Sequence, residues 1–147
     1  MMYNMYLAQE LENETLVLKF PELPDEIEPK CEINNKRYNV LALGDVIRIG
    51  KKGLKNFTLI SYYPADKEPA VYVTLFEKMV ENMVVNEKPI RFILNRINEN
   101  KLKDDINILV VIDSFSHKEE GGEVGDIYFS YKFTEYREHK AKVIASV

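Results

Sequence analysis

The chain has no tryptophan, one cysteine and two histidines among its 147 residues. With Cys31 alone no intramolecular disulfide can form, and a zinc site built from cysteines is excluded. Cys31 reads as a small packed hydrophobe in a reducing compartment rather than as a nucleophile. Long apolar runs are missing as well: the strongest, residues 106–112, is far too short to span a bilayer. The opening Met-Met-Tyr-Asn-Met-Tyr lacks the basic and apolar regions of a signal peptide, so the cytosol is the expected place of synthesis and residence. Positive charge is not in excess either. A net charge of −4 and a pI near 5.3 argue against bulk nucleic-acid binding, which shows as a basic domain or stripe.

Catalytic motifs are equally scarce. His117 and His139 sit in polar surroundings, and no spacing makes them converge with Asp113 or Glu119 as metal ligands. Ser114 or Ser116 with His117 and Asp126 forms a triad only on paper, since no nucleophile elbow surrounds the serines. Gly121-Gly122 with Gly125 precedes a strand rather than a helix, so it is not a phosphate loop. The pairs Glu119-Glu120 and Asp104-Asp105 read as solvated loop charges. No enzyme, cofactor or metal is expected.

What is present is an ordinary globular composition, 46% hydrophobic and 30% charged, in a length suited to one domain over 1–147. Residues 1–29 read as an N-terminal hairpin, 3–8 and 15–20, followed by a connector broken by Pro21, Pro24 and Pro29. Residues 30–68 hold a candidate strand at 31–38 and then the best-marked stretch, 43–63. There two β-rich runs, 46–49 and 54–63, flank Gly50-Lys51-Lys52-Gly53, which predicts a hairpin with glycines supplying positive φ. Both faces of 54–63 carry large side chains, so both are expected to be covered. Lys51, Lys52 and Lys55 with Arg48 form the one local basic cluster, most simply a solvated tip.

Residues 69–88 change period: apolar residues at 72, 75, 76, 79, 80 and 83 predict one amphipathic helix over 70–85, with Pro69 at its start. Residues 89–147 return to strands at 90–95, 106–115 and 126–136, separated by a polar loop at 98–105 and a glycine-rich turn at 121–125. The run 106–115 is apolar on both faces and reads as a central strand. About eight strands and one helix predict a mainly β (α+β) fold, an antiparallel barrel or sandwich with a packed helix.

Four segments carry a resemblance. They are Phe20-Pro21-Glu22-Leu23-Pro24-Asp25-Glu26-Ile27-Glu28; Leu43-Gly44-Asp45 with Ile49-Gly50-Lys51-Lys52-Gly53-Leu54; Lys88-Pro89-Ile90-Arg91-Phe92-Ile93; and Gly125-Asp126-Ile127-Tyr128 through Glu135-Tyr136-Arg137. In order and spacing these resemble the N-terminal domain of LysM-containing tail and baseplate proteins of contractile phages, PBSX-type prophages and phage-tail-like bacteriocins. The resemblance implies a tail-tube-like fold and a structural role as a baseplate or tube-initiator ring. Its partners would be further copies in a ring, hexameric in number, the hub and spike, the tail tube, and baseplate wedge or sheath, with no specific nucleic acid and no membrane. Localisation would be the bacterial cytoplasm during assembly, then the particle. The family continues into a LysM module, whereas this sequence stops at Val147, so peptidoglycan binding does not carry over. With the two-faced strands, the resemblance makes Arg48, Lys51, Lys52, Leu54, Phe57, Tyr62, Tyr63, Tyr128 and Tyr131 the candidate subunit-interface residues. A cell-wall or carbohydrate-binding module, suggested by the nine tyrosines, is the alternative.

Overall fold

A computed structural model describes residues 2–98, 101–120, 122 and 125–138. Eight antiparallel strands and one α-helix follow in chain order. They are β1 (Met2–Glu10), β2 (Thr15–Lys19), β3 (Lys36–Val40), β4 (Gly44–Arg48), β5 (Asn56–Tyr63), α1 (Pro69–Asn86), β6 (Ile90–Asn98), β7 (Lys101–Glu119) and β8 (Ile127–Glu135). Six strands form one sheet in the order β2-β1-β6-β7-β8-β5, and β3 and β4 form a separate two-stranded ribbon. β7 is central, as its apolar run predicts.

Alternation decides what the large sheet buries. Met5 and Leu7 on β1, Phe92 on β6, Val110 on β7, Tyr131 on β8 and Leu59 on β5 all point to one face and are fully buried. Burying a side chain of this size is worth about 1.5–3 kcal/mol, so this face supplies most of the driving force. The sheet curls around it: Phe20, just past β2, lies 5.6 Å from Phe129 on β8, measured between ring centroids. The connector crosses the remaining gap between the two edge strands. The Phe20 amide donates to the Met5 carbonyl at 3.0 Å, the Ser61 hydroxyl to the Glu22 carbonyl at 3.2 Å, and Lys30 bridges to Asn56. A fold of this kind is a sandwich around a curled sheet; the pairings leave β2 and β5 as edges instead of closing a barrel.

The helix covers the open side of that core. Pro69 is its first residue, and Glu87 ends it in the left-handed region at φ 51°, its amide donating back to Met83. Phe76 and Met79 are its fully buried residues. Gln9 holds it in place: its side-chain amide donates to the Met79 carbonyl at 2.9 Å, and Asn82 donates to the Gln9 oxygen at 3.3 Å. A buried amide left without these partners would cost about 1–3 kcal/mol, so Gln9 fixes the helix's position along the sheet. Nothing in the sequence marks Gln9 for this role, because one polar residue in an apolar strand carries no motif.

Three expectations need correction. Residues 46–49 and 54–63 are not the two arms of one hairpin: β4 pairs with β3, and β5 pairs with β8. The second face of β5 is open, with Ile60 67% exposed. The polar segment is not a loop over its described residues, 98 and 101–105. Its backbone pairs Asn98 with Lys101 and Asn95 with Asp104, extending the β6–β7 hairpin past a bulge at Leu94/Asn95. In the glycine-rich turn, residues 121, 123 and 124 lie outside the described residues, as does His139.

Candidate assembly interface

Residues 30–56 leave the body as an arm. Going outward, Lys30 bridges to Asn56 and Ile33 to Lys52, and the ribbon continues from Lys36 opposite Arg48 to Val40 opposite Gly44. A turn closes the tip, the Leu43 amide donating to the Val40 carbonyl at 3.1 Å. Gly44 takes φ 77° there, a conformation that suits glycine. Ten residues at about 3.3 Å each give the arm a reach of roughly 33 Å.

Gly50 is needed for space rather than for φ. A Cβ on it would lie 1.5 Å from the Asn34 carbonyl oxygen, because the two strands of the arm pass closely there. Its amide donates to the Asn35 side chain at 3.0 Å. At the root, the Arg137 guanidinium donates to the carbonyls of Lys52 (3.1 Å) and Gly53 (2.8 Å), and Glu135 accepts from the Lys55 amide at 3.2 Å. Cys31 is half-buried here, its thiol 3.3 Å from the Gly53 carbonyl, consistent with a packed residue.

Nothing among the described residues covers the arm. Every residue from 32 to 49 is exposed, including Tyr38, Val40, Leu41, Leu43, Ile47 and Ile49. Leu43 is 77% and Ile49 85% exposed. An isolated two-stranded ribbon is marginal in water, and this one leaves apolar side chains exposed on both faces, Tyr38, Val40 and Val46 on one and Ile47 on the other. The arm is also basic. Lys30, Lys36, Arg37, Arg48, Lys51, Lys52 and Lys55 stand against Glu32 and Asp45, a net +5 in a chain of −4, which leaves −9 elsewhere. Lys36 and Arg48 face each other across the ribbon, a like-charged pair that weakens it, and no carboxylate among the described residues pairs with either.

The candidate interface residues divide accordingly. Arg48, Lys51, Lys52 and Leu54 lie on the arm and are exposed. Tyr62 and Tyr128 lie on the outer face of the sheet, ring centroids 5.6 Å apart. Phe57, Tyr63 and Tyr131 are core residues, at 3% exposure or less, so their side chains offer no surface to a neighbour. Alternation places them inward, where two-sided apolarity suggested an outer surface. Leu41, Leu43, Ile47 and Ile49 were missed; their run of apolar residues around Gly44 was the available signal.

Tyr63 and Tyr131 instead form a buried polar chain. The two hydroxyls are 2.8 Å apart, and His117 Nε2 is 2.6 Å from the Tyr131 hydroxyl. Phe76 stacks on Tyr131 at 3.7 Å, and Tyr72 stacks on Tyr63 at 5.1 Å, so α1 lies directly on this chain. Burial pushes both tyrosine hydroxyls well above the ordinary phenol range. Burial also pushes His117 below 6.5, opposed in part by Glu77. Among the described residues no group of three or more His, Cys, Asp or Glu is placed to hold a metal, and no helix is long and apolar enough to cross a membrane.

The same architecture occurs in a solved structure of the SPP1 tail tube. The alignment covers 90% of this chain and 73% of that one, with a TM-score of 0.50 and 18% identity. The fold is tail-tube-like. Among curated sequences the chain is 26% identical over 126 residues to the uncharacterised protein YqbP of Bacillus subtilis (strain 168), covering 82% of this chain. It spans about half, 54%, of YqbP's length. No family model matches.

Proposed function

We propose that this protein is a structural subunit of a phage tail or phage-tail-like particle, acting by self-association into a ring and not by catalysis. The observation that carries this reading is the exposed, apolar and basic arm on a tail-tube-like body. Each large apolar side chain on the arm gains about 1.5–3 kcal/mol when covered. Within the particle, the tube-initiator position between hub-spike and first tube ring, in six copies, is the specific assignment. The arm and the outer face around Tyr62 and Tyr128 are its contact surfaces.

Electron microscopy and light scattering of the protein, alone and with its hub and tube partners, test this. Rings or tube-end caps are expected; a strict monomer that joins neither would end the reading. The cell-wall or carbohydrate-binding alternative predicts retention on purified cell wall, where none is expected.

A further inference from the structure

Resting on that reading, we infer that the arm tip of one copy docks on a second copy at the C-terminal end of α1. A cleft of about 290 Å³ opens there between the helix and β7, lined by Met83, Val84, Pro89, Val111 and Tyr136, with Glu87 at its rim. Val84 and Val85 add exposed apolar surface beside it, at 65% and 72%. Glu81 lies one helical turn before Val84 and Val85, and Glu138 lies two residues beyond Tyr136. The cleft is thus apolar within and acidic around, with Lys88 among the acids. The arm brings Leu41 and Leu43 at its end, Asp45 just behind them, and Lys36, Arg37 and Arg48 at the far end of the ribbon, without acidic partners among the described residues.

A larger cleft, about 350 Å³ lined by Leu23, Asp25, Glu26 and Ile27, fits less well. Its lining includes Pro29, next to Lys30 where the chain's own arm departs, and Arg96 sits in it. A visiting basic arm would meet both a like charge and the resident arm's root.

Charge reversal on each side separates the possibilities. The variants are K36E/R37E/R48E on the arm and E81K/E87K/E138K at the cleft, all at exposed positions. Each alone should assemble at least about tenfold more weakly than wild type, since like charges brought together at an interface cost several kcal/mol. An equimolar mixture of the two should assemble again, because every contact in an alternating ring then joins opposite charges. As a second readout, chains carrying Cys31→Ser with Leu43→Cys and Val84→Cys should oxidise to a ladder of covalent oligomers. If the cleft variant assembles as wild type while the arm variant does not, or if only monomer forms on oxidation, the arm docks elsewhere and the proposal falls with self-association intact. A wild-type chain that never assembles overturns the functional reading as well.

Discussion

Leu59 on β5 and Leu43 at the arm tip are the same side chain in opposite surroundings. One is fully buried; the other is 77% exposed. The body satisfies its apolar residues internally, through a curled sheet, a helix and a bridging connector. The arm satisfies only its backbone, through a ribbon of paired strands, and leaves its side chains outward. Body residues therefore govern whether the chain folds, and under the proposed function arm residues govern what it joins. Substitutions in the two regions should separate along that line.

The largest effect is expected in the body. Phe76→Ala removes the ring stacked on Tyr131 and touching Phe115 and His117 edge-on, so it should lower unfolding free energy by about 3–5 kcal/mol in a denaturant titration. A loss below about 1 kcal/mol would mean that α1 is not part of the cooperative unit. Next comes Gly50→Val, which forces the strands of the arm apart. Overpacking of this kind costs about 1–3 kcal/mol, confined to the arm. Hydrogen exchange should accelerate at residues 34–51 while the melting temperature of the body holds. A body that melts earlier would show the two regions to be coupled.

A smaller, pH-dependent effect should come from His117. In the tautomer protonated at Nδ1, neutral His117 can accept the Tyr131 hydroxyl proton at Nε2, 2.6 Å away, which leaves Tyr131 to accept from Tyr63 at 2.8 Å. A proton on Nε2 reverses both bonds and leaves the buried Tyr63 hydroxyl hydrogen without an acceptor. Because the folded pKa is depressed, the unfolded chain takes up the proton first. This contribution to stability is complete above about pH 6.5 and is lost as pH falls through the folded value. Thermal melts between pH 7.5 and 5 should decline more steeply for wild type than for His117→Phe; parallel curves would exclude the coupling. Smallest of all, Leu43→Ser should leave monomer stability within about 0.5 kcal/mol of wild type. It should nonetheless weaken assembly, and intact assembly would show that the tip is not a contact.

Where one face was buried, the sequence was readable. α1 followed from its 3.6-residue period and Pro69, and β8 from the alternation of Phe129, Tyr131 and Phe133 with polar neighbours. The arm defeated the same logic. Gly50 and Gly53 look like turn residues, yet they serve the close approach to Asn34 and Glu32, and backbone separation leaves no trace in local sequence. A hairpin of 46–49 with 54–63 would turn Phe57 and Tyr63 outward, whereas pairing with β8 buries both. The start of β7 at Lys101 was hidden by composition, because Asn, Lys and Asp signal loops while a backbone ladder depends on none of them. His117, unremarkable in sequence, gains its role only through the bulge between Ile112 and Ser114, which shifts Phe115 and His117 to the inner face beside Tyr131.

The Arg137 clamp fixes an angle as well as an energy. A tip that docks on another copy's cleft is a head-to-tail contact, and such contacts carry no built-in limit on copy number. Each step repeats one rotation, set by how the arm leaves the body. Where that rotation divides a full turn evenly the chain of copies shuts on itself; otherwise it winds into an open helix. Arg137, bound to the Lys52 and Gly53 carbonyls at the root, would under the proposed docking therefore be a determinant of closure. Its loss would alter the geometry of the assembly before it altered the stability of the subunit.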